Sequence, residues 1–161
     1  MSATWQCAAT TAQDTEAAGA ELASILRGGD LVELRGDLGA GKTTFARGLA
    51  RGLGVASSVR SPTFPIVVPY PTTAPGISEL LHVDCYRLED PAELVGTGLL
   101  DQLGAEVVVV VEWLDLAGGL LGAPDLVVTL TGDDDGVRQM TLRVEDPARA
   151  RTGAASLGQW R

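Results

Sequence analysis

One lysine, the threonine beside it and a cluster of glycines carry the clearest chemistry in the chain: Gly36-Asp37-Leu38-Gly39-Ala40-Gly41-Lys42-Thr43-Thr44. The spelling fits G-x-x-x-x-G-K-[ST], a loop that wraps main-chain amides around phosphate oxygens. Gly39 and Gly41 permit a tight turn with no Cβ between amide and ligand. Free N–H groups opening the next helix add the positive end of its dipole. Lys42 would reach the β- and γ-phosphates, and the Thr43 hydroxyl would hold Mg²⁺. Of 12 lysines and arginines, Lys42 is the only lysine.

Such a loop works only between a strand and a helix. Leu31-Val32-Glu33-Leu34 alternates as a strand does, within an expected strand over 30–35. Phe45, Leu49 and Leu53 fall four apart on one face of a helix beginning at Lys42, which Gly54 would close. The metal needs acids at neighbouring strand ends. Glu112 directly follows five consecutive valines, the pattern of a central parallel strand covered on both faces, and so stands at the carboxyl end where ligands gather. Asp84, after Val83 in the strand Leu80 to Tyr86, is the second candidate, with a pairing to Arg87 as the plainer role.

Other polar residues are weaker candidates. Thr63, in Arg60-Ser61-Pro62-Thr63-Phe64, follows the loop helix and would approach the γ-phosphate or the metal, unless it is only a turn residue behind a proline. Trp113 reads as core. His82, the sole histidine, reads as structural rather than as a catalytic base, and Arg87 and Arg138 as surface-paired, with contact to phosphate or adenine as the alternative. No [NT]-K-x-D segment for reading guanine exists, because the one lysine belongs to the loop. ATP is therefore the expected nucleotide.

At 161 residues the chain is long enough for one domain with a real core. A formal net charge of −9 argues against gripping a phosphate backbone unaided. Cys7 and Cys85 give neither metal spacing nor a disulfide framework and read as buried thiols. No charged-then-apolar leader and no run of membrane-spanning length are present, so a soluble cytoplasmic protein is expected. The remaining elements are a strand over 3–9, a helix from Asp14 to Arg27 and an exposed hairpin loop from Pro69 to Pro75. Short helices follow at Asp90-Pro91 and at 99–103, with a weak one at 115–121. Strands Leu126–Leu130 and Val137–Val144 would pair antiparallel across the acidic turn Asp133 to Gly136. Residues 147–161 read as a frayed, disordered tail, leaving a single domain over 1–146.

With these residues placed, the chain resembles the TsaE (YjeE) family over roughly residues 11 to 131. The likeness rests on the loop 36–45, on Ser61-Pro62-Thr63-Phe64, on His82-Val83-Asp84-Cys85-Tyr86-Arg87-Leu88 followed by Asp90-Pro91-Ala92-Glu93-Leu94, and on Val111-Glu112-Trp113. It implies a P-loop NTPase-like three-layer α/β fold: a mostly parallel sheet flanked by helices, with an antiparallel pair at the C-terminal end. The function it implies is a small ATPase of tRNA threonylcarbamoyladenosine synthesis that works with TsaB and TsaD, meeting tRNA only through those partners, and neither membrane nor DNA.

By matching position, residues Asp37, Leu38, Gly39, Ala40, Gly41, Lys42, Thr43 and Thr44 would cradle ATP or ADP. Thr43, Asp84 and Glu112 would belong to the Mg²⁺ and hydrolysis site, with Lys42 on the phosphates. Ser61 and Thr63 would lie in a switch-like loop, Trp113 would accompany the acid, and Thr11 to Thr15 would lie near adenine. Cys85 departs from the large aliphatic residue usual before the tyrosine, and the proline-rich loop 69–76 is unusual. A small-molecule kinase, or a nucleotide-gated binding module that never hydrolyses, would use the same loop.

Overall fold

A strand of five valines has no polar face and must be covered on both sides. In the computed structural model, which describes residues 2–60, 66–132 and 136–161, that strand is β5 (Val107–Glu112), buried between two layers of helix. Six further strands among the described residues complete one sheet: β1 (Ala3–Ala9), β2 (Leu31–Arg35), β3 (Val67–Pro71), β4 (Glu79–Asp84), β6 (Leu126–Gly132) and β7 (Arg138–Val144). Their order is β1-β7-β6-β2-β5-β4-β3. The middle four, β6, β2, β5 and β4, run parallel. Beyond them β7 pairs antiparallel with β6, β1 pairs antiparallel with β7 and so runs with the middle four, and β3 pairs antiparallel with β4 on the other side. The antiparallel pair expected at the C-terminal end is thus β6 and β7, extended by β1.

Alternate valines of β5 serve the two cores. Val108 and Val110 face α1 (Ala12–Leu22) and α2 (Lys42–Gly52), with Phe45, Leu49 and Leu53. Val109 and Val111 face α3 (Ala92–Gly96) and α4 (Leu99–Gln102), with Leu94 and Leu99. Two glycines bring α1 and α2 into backbone contact: a Cβ on Gly48 would sit 1.9 Å from the Glu16 oxygen, and one on Gly19 2.3 Å from the Phe45 oxygen. That close crossing seats α2, and with it the loop that α2 begins. Helix α1 starts earlier than expected because Thr11 caps it. Thr11 Oγ1 accepts from the Asp14 amide at 3.1 Å and Asp14 Oδ2 accepts from the Thr11 amide at 3.2 Å.

Three expectations need correction. The stretch from Pro69 is not a loop from the outset, because β3 runs on through Pro71. An edge strand tolerates prolines whose nitrogens face away from its neighbour. Even-numbered positions turn toward β4, as the bonds Asp84 N–H to Ile66 O and Thr72 N–H to Ser78 O show, so Pro69 and Pro71 face outward. The weak helix at 115–121 is a 3₁₀ turn over Leu114–Ala117.

The third correction concerns residues 147–161, which do not fray. Asp146 caps α5 (Pro147–Ser156) by accepting from the Ala148 amide at 2.8 Å, and Pro147 takes the first helical position. Arg149 is buried with its Nη1 2.8 Å from Asp30 Oδ1. Leu157 and Trp160 join the core, with Trp160 edge-on to Phe45 at 6.3 Å and donating Nε1–H to Ala18 O. Arg161 and Gln6 exchange two backbone hydrogen bonds of 2.8 Å each. Among the described residues no helix is long and apolar enough to cross a membrane.

Candidate functional site

The chain leaves β2 at Arg35 and enters α2 at Lys42, and the six residues between form the loop. Gly36 passes so close to β6 that a Cβ would lie 2.7 Å from Leu130 O. Gly41, at φ 104°, caps α2 in the left-handed region that a side chain resists. The amides of Lys42, Thr43 and Thr44 open α2 and have no intrahelical acceptor, which leaves them for a ligand. Lys42 is buried, donates from Nζ to Gly36 O at 2.5 Å and lies 4.2 Å from the centre of the Trp113 ring.

Parallel pairing sets the acids opposite this loop. Asp84 at the end of β4 is in register with Glu112 at the end of β5, and Glu112 with Leu34 of β2. A cleft of about 360 Å³ is lined on one side by Gly41, Lys42, Thr43 and Thr44, and on the other by Asp84, Tyr86, Glu112 and Trp113. Leu38 and Gly39 complete its wall. Four of the candidates for chemistry, Lys42, Thr43, Asp84 and Glu112, therefore meet at one place.

The carboxylates differ in surroundings. Glu112 is buried, and its Oε2 lies 2.8 Å from Nε2 of the fully buried His82. Asp84 is half-buried and accepts from the Tyr86 amide at 2.9 Å. Burial pushes the Asp84 carboxyl above its ordinary value and the charge of Glu112 adds to this, while the Tyr86 amide, His82 and Lys42 pull the other way. The plainer role expected for Asp84, a pairing with Arg87, is not among its contacts in the structure. Trp113 follows Glu112 at φ 60°, the only non-glycine residue in that region among those described. Tyr86 tilts against it, ring centroids 5.0 Å apart.

A second hollow of about 210 Å³ continues past the start of α2, lined by Thr10, Thr11, Thr15, Gly41, Thr44 and Arg138 among others. It holds part of the segment expected near adenine. Arg138 is not merely a surface partner: its Nη2 donates to Gly39 O at 3.1 Å, tying β7 to the loop. His82 is not an isolated core residue either. The signal for it was available, since His82 and Asp84 are two apart on one strand and so share a face. Ser61 and Thr63 lie outside the described residues. Cys7 and Cys85 are buried and unbridged, and burial, ahead of the neighbouring Asp84, pushes the Cys85 thiol up to about 12.

The sheet order, the glycine loop and the acids facing it define a P-loop NTPase-like α/β protein. The family model for the threonylcarbamoyl adenosine biosynthesis protein TsaE matches residues 9–140, and the chain belongs to the TsaE family. The tRNA threonylcarbamoyladenosine biosynthesis protein TsaE of Bacillus subtilis is 38% identical over 130 residues, 81% of this chain and 79% of that protein. The protein of the same description from Treponema pallidum is 34% identical over 137 residues, 85% of this chain and 98% of its own. That from Streptomyces coelicolor is 50% identical over 95 residues, 59% and 64% of the two chains. The crystal structure of Bacillus subtilis YdiB superposes with a TM-score of 0.69 at 29% identity, covering 98% of this chain and 95% of that one. The family places the chain in tRNA threonylcarbamoyladenosine biosynthesis.

Proposed function

We propose that the chain binds ATP with Mg²⁺ and hydrolyses it. It would act as the ATPase subunit that resets a TsaB/TsaD assembly between rounds of threonylcarbamoyladenosine formation beside the tRNA anticodon. The observation that carries this reading is the convergence of Lys42 and Thr43 with Asp84 and Glu112 on one cleft. TsaB, TsaD and a cytoplasmic location follow from the resemblance of the motifs, and the net charge of −9 favours reaching tRNA through partners.

The donors suit a magnesium ion. Thr43 offers a hydroxyl and Asp84 and Glu112 offer carboxylates, all hard oxygens, and among the described residues no three or more His, Cys, Asp or Glu are grouped so as to hold a metal ion by themselves. Mg²⁺ needs little more, because it keeps several waters and takes oxygens from the substrate phosphates. Bound there, it would neutralise charge on the β- and γ-phosphates.

The chain's own groups do the rest. Amides of residues 37–44 and the Lys42 ammonium bind and orient the phosphates, and their positive charge meets the charge that spreads over the γ-phosphoryl oxygens during transfer. Glu112 accepts a hydrogen bond from the attacking water and aligns it. Trp113 and Tyr86 wall the cleft against bulk solvent. Glu112→Gln is expected to keep nucleotide affinity and lose phosphate release, measured with partners present. Equal turnover by variant and wild type would remove Glu112 from the mechanism. Phosphoryl transfer to a metabolite outpacing hydrolysis would favour a kinase instead.

A further inference from the structure

As packing material, an imidazole is a poor choice at position 82. The ring is fully buried in a parallel strand, and among the described residues its Nδ1 has no hydrogen-bond partner. A buried polar atom without a partner is costly, and an aliphatic side chain of similar size would avoid that cost. The single polar contact of the ring among the described residues is Nε2 to Glu112 Oε2 at 2.8 Å.

Strand geometry explains why the contact forms. His82 is in register with Val110, and Asp84 with Glu112. The side chains of these four residues share one face of the sheet, the face that α1 and α2 cover. His82 starts two residues, about 7 Å, further from the carboxyl end than Glu112. Its ring therefore approaches Glu112 from beneath, on the side away from the cleft mouth. A carboxylate only accepts, so Nε2 must carry the proton, and Nδ1 keeps a bare lone pair when the ring is neutral.

We propose that His82 is a positioning residue for the hydrolytic site: its Nε2–H holds one oxygen of Glu112, so that the other is presented to the cleft as an oriented acceptor. Without that bond, Glu112 would turn among rotamers and toward the Lys42 ammonium. His82 touches neither nucleotide nor water; it acts through Glu112. Groups of this kind typically matter 10- to 100-fold when removed. The proposal rests on the ATPase reading above.

His82→Leu should lower partner-stimulated turnover about 10- to 100-fold with ADP affinity unchanged. His82→Gln, whose amide can donate from near the Nε2 position, should restore most of it. Wild-type turnover in His82→Leu, or a loss in His82→Gln as deep as in His82→Leu, overturns the proposal. Turnover abolished by Glu112→Gln yet untouched by His82→Leu defeats the role of His82 alone. Turnover untouched by Glu112→Gln defeats the reading beneath it.

A second measurement stands apart from activity and needs no His82 variant to fold. His82 is the only histidine, so a long-range ¹H–¹⁵N spectrum of the full chain reports one imidazole. The expected pattern has a proton on Nε2, with a resonance that moves in Glu112→Gln. A bare Nε2, or a resonance that does not move, overturns the proposal.

Discussion

The Lys42 ammonium lies 4.2 Å from the centre of the Trp113 ring while donating to Gly36 O, so a cation from the start of α2 is held by the end of β5. A cation over an indole face is attracted by the ring quadrupole, more strongly where water is excluded. The lysine is thereby gathered beside the cleft instead of sweeping through solvent. Lys42→Ala is expected to weaken ADP binding by about 2–5 kcal/mol, roughly 30- to 4,000-fold, in a calorimetric titration. Unaltered affinity would count decisively against the phosphate role.

Trp113 holds its place at a backbone cost. At φ 60° and ψ 45° it sits where a bulky L-residue is strained. Trp113→Ala and Trp113→Gly lose the same ring contacts, yet only glycine relieves the backbone. The glycine variant should therefore be more stable than the alanine variant by about 1 kcal/mol in urea denaturation. The reverse order would mean that the left-handed turn is not strained.

Arg149 is tested through its partner. Arg149→Ala leaves the buried Asp30 carboxylate without its cation, and a loss of about 3–5 kcal/mol is expected. Adding Asp30→Asn removes the stranded charge and keeps an acceptor for the Arg27 amide, so the double variant should recover part of that loss. A double variant no more stable than Arg149→Ala would show that the arginine works through packing instead.

Asp14 gives a pH signature. Hydrogen bonds from Thr10, then Thr11, hold its carboxyl below the ordinary value of 3.8. A depressed carboxyl stabilises the fold above its unfolded pKa, and that contribution is lost as pH falls through the folded one. Wild type should therefore melt above Asp14→Ala at neutral pH, and the two should converge in acid well below pH 3.8. A melting gap that persists in acid would assign the effect to something other than the cap.

Much of this architecture was legible because its signals are local. Five valines, a glycine spacing and an acid at a strand end are read along the chain, and they place β2, β5, the loop and Glu112. What stayed hidden depends on which strands become neighbours. Nothing near His82 in sequence announces Glu112, thirty positions away; the contact exists only because β4 lies beside β5 in a particular register.

The C-terminal segment was missed for another reason. Its Ala, Gly and Arg content suggests fraying, yet Asp146-Pro147 repeats the cap-and-proline spelling of Asp90-Pro91 and does open a helix. The value of Leu157 and Trp160 became apparent only with a groove for them to fill. Pro69 and Pro71 misled similarly, since a proline breaks an inner strand but not an outer one.

Those prolines and Arg161 have a shared consequence for how the molecule behaves in company. An open sheet has two rims, and unpaired main-chain groups along a rim invite strands from other molecules to add on. On the β3 rim, Pro69 and Pro71 remove two of the outward donors that such an intruder would need and leave that of Val67. On the β1 rim, Arg161 already occupies both the donor and the acceptor of Gln6. Each rim is thus interrupted by a different means, which shortens the run of free main-chain groups that an added strand would find.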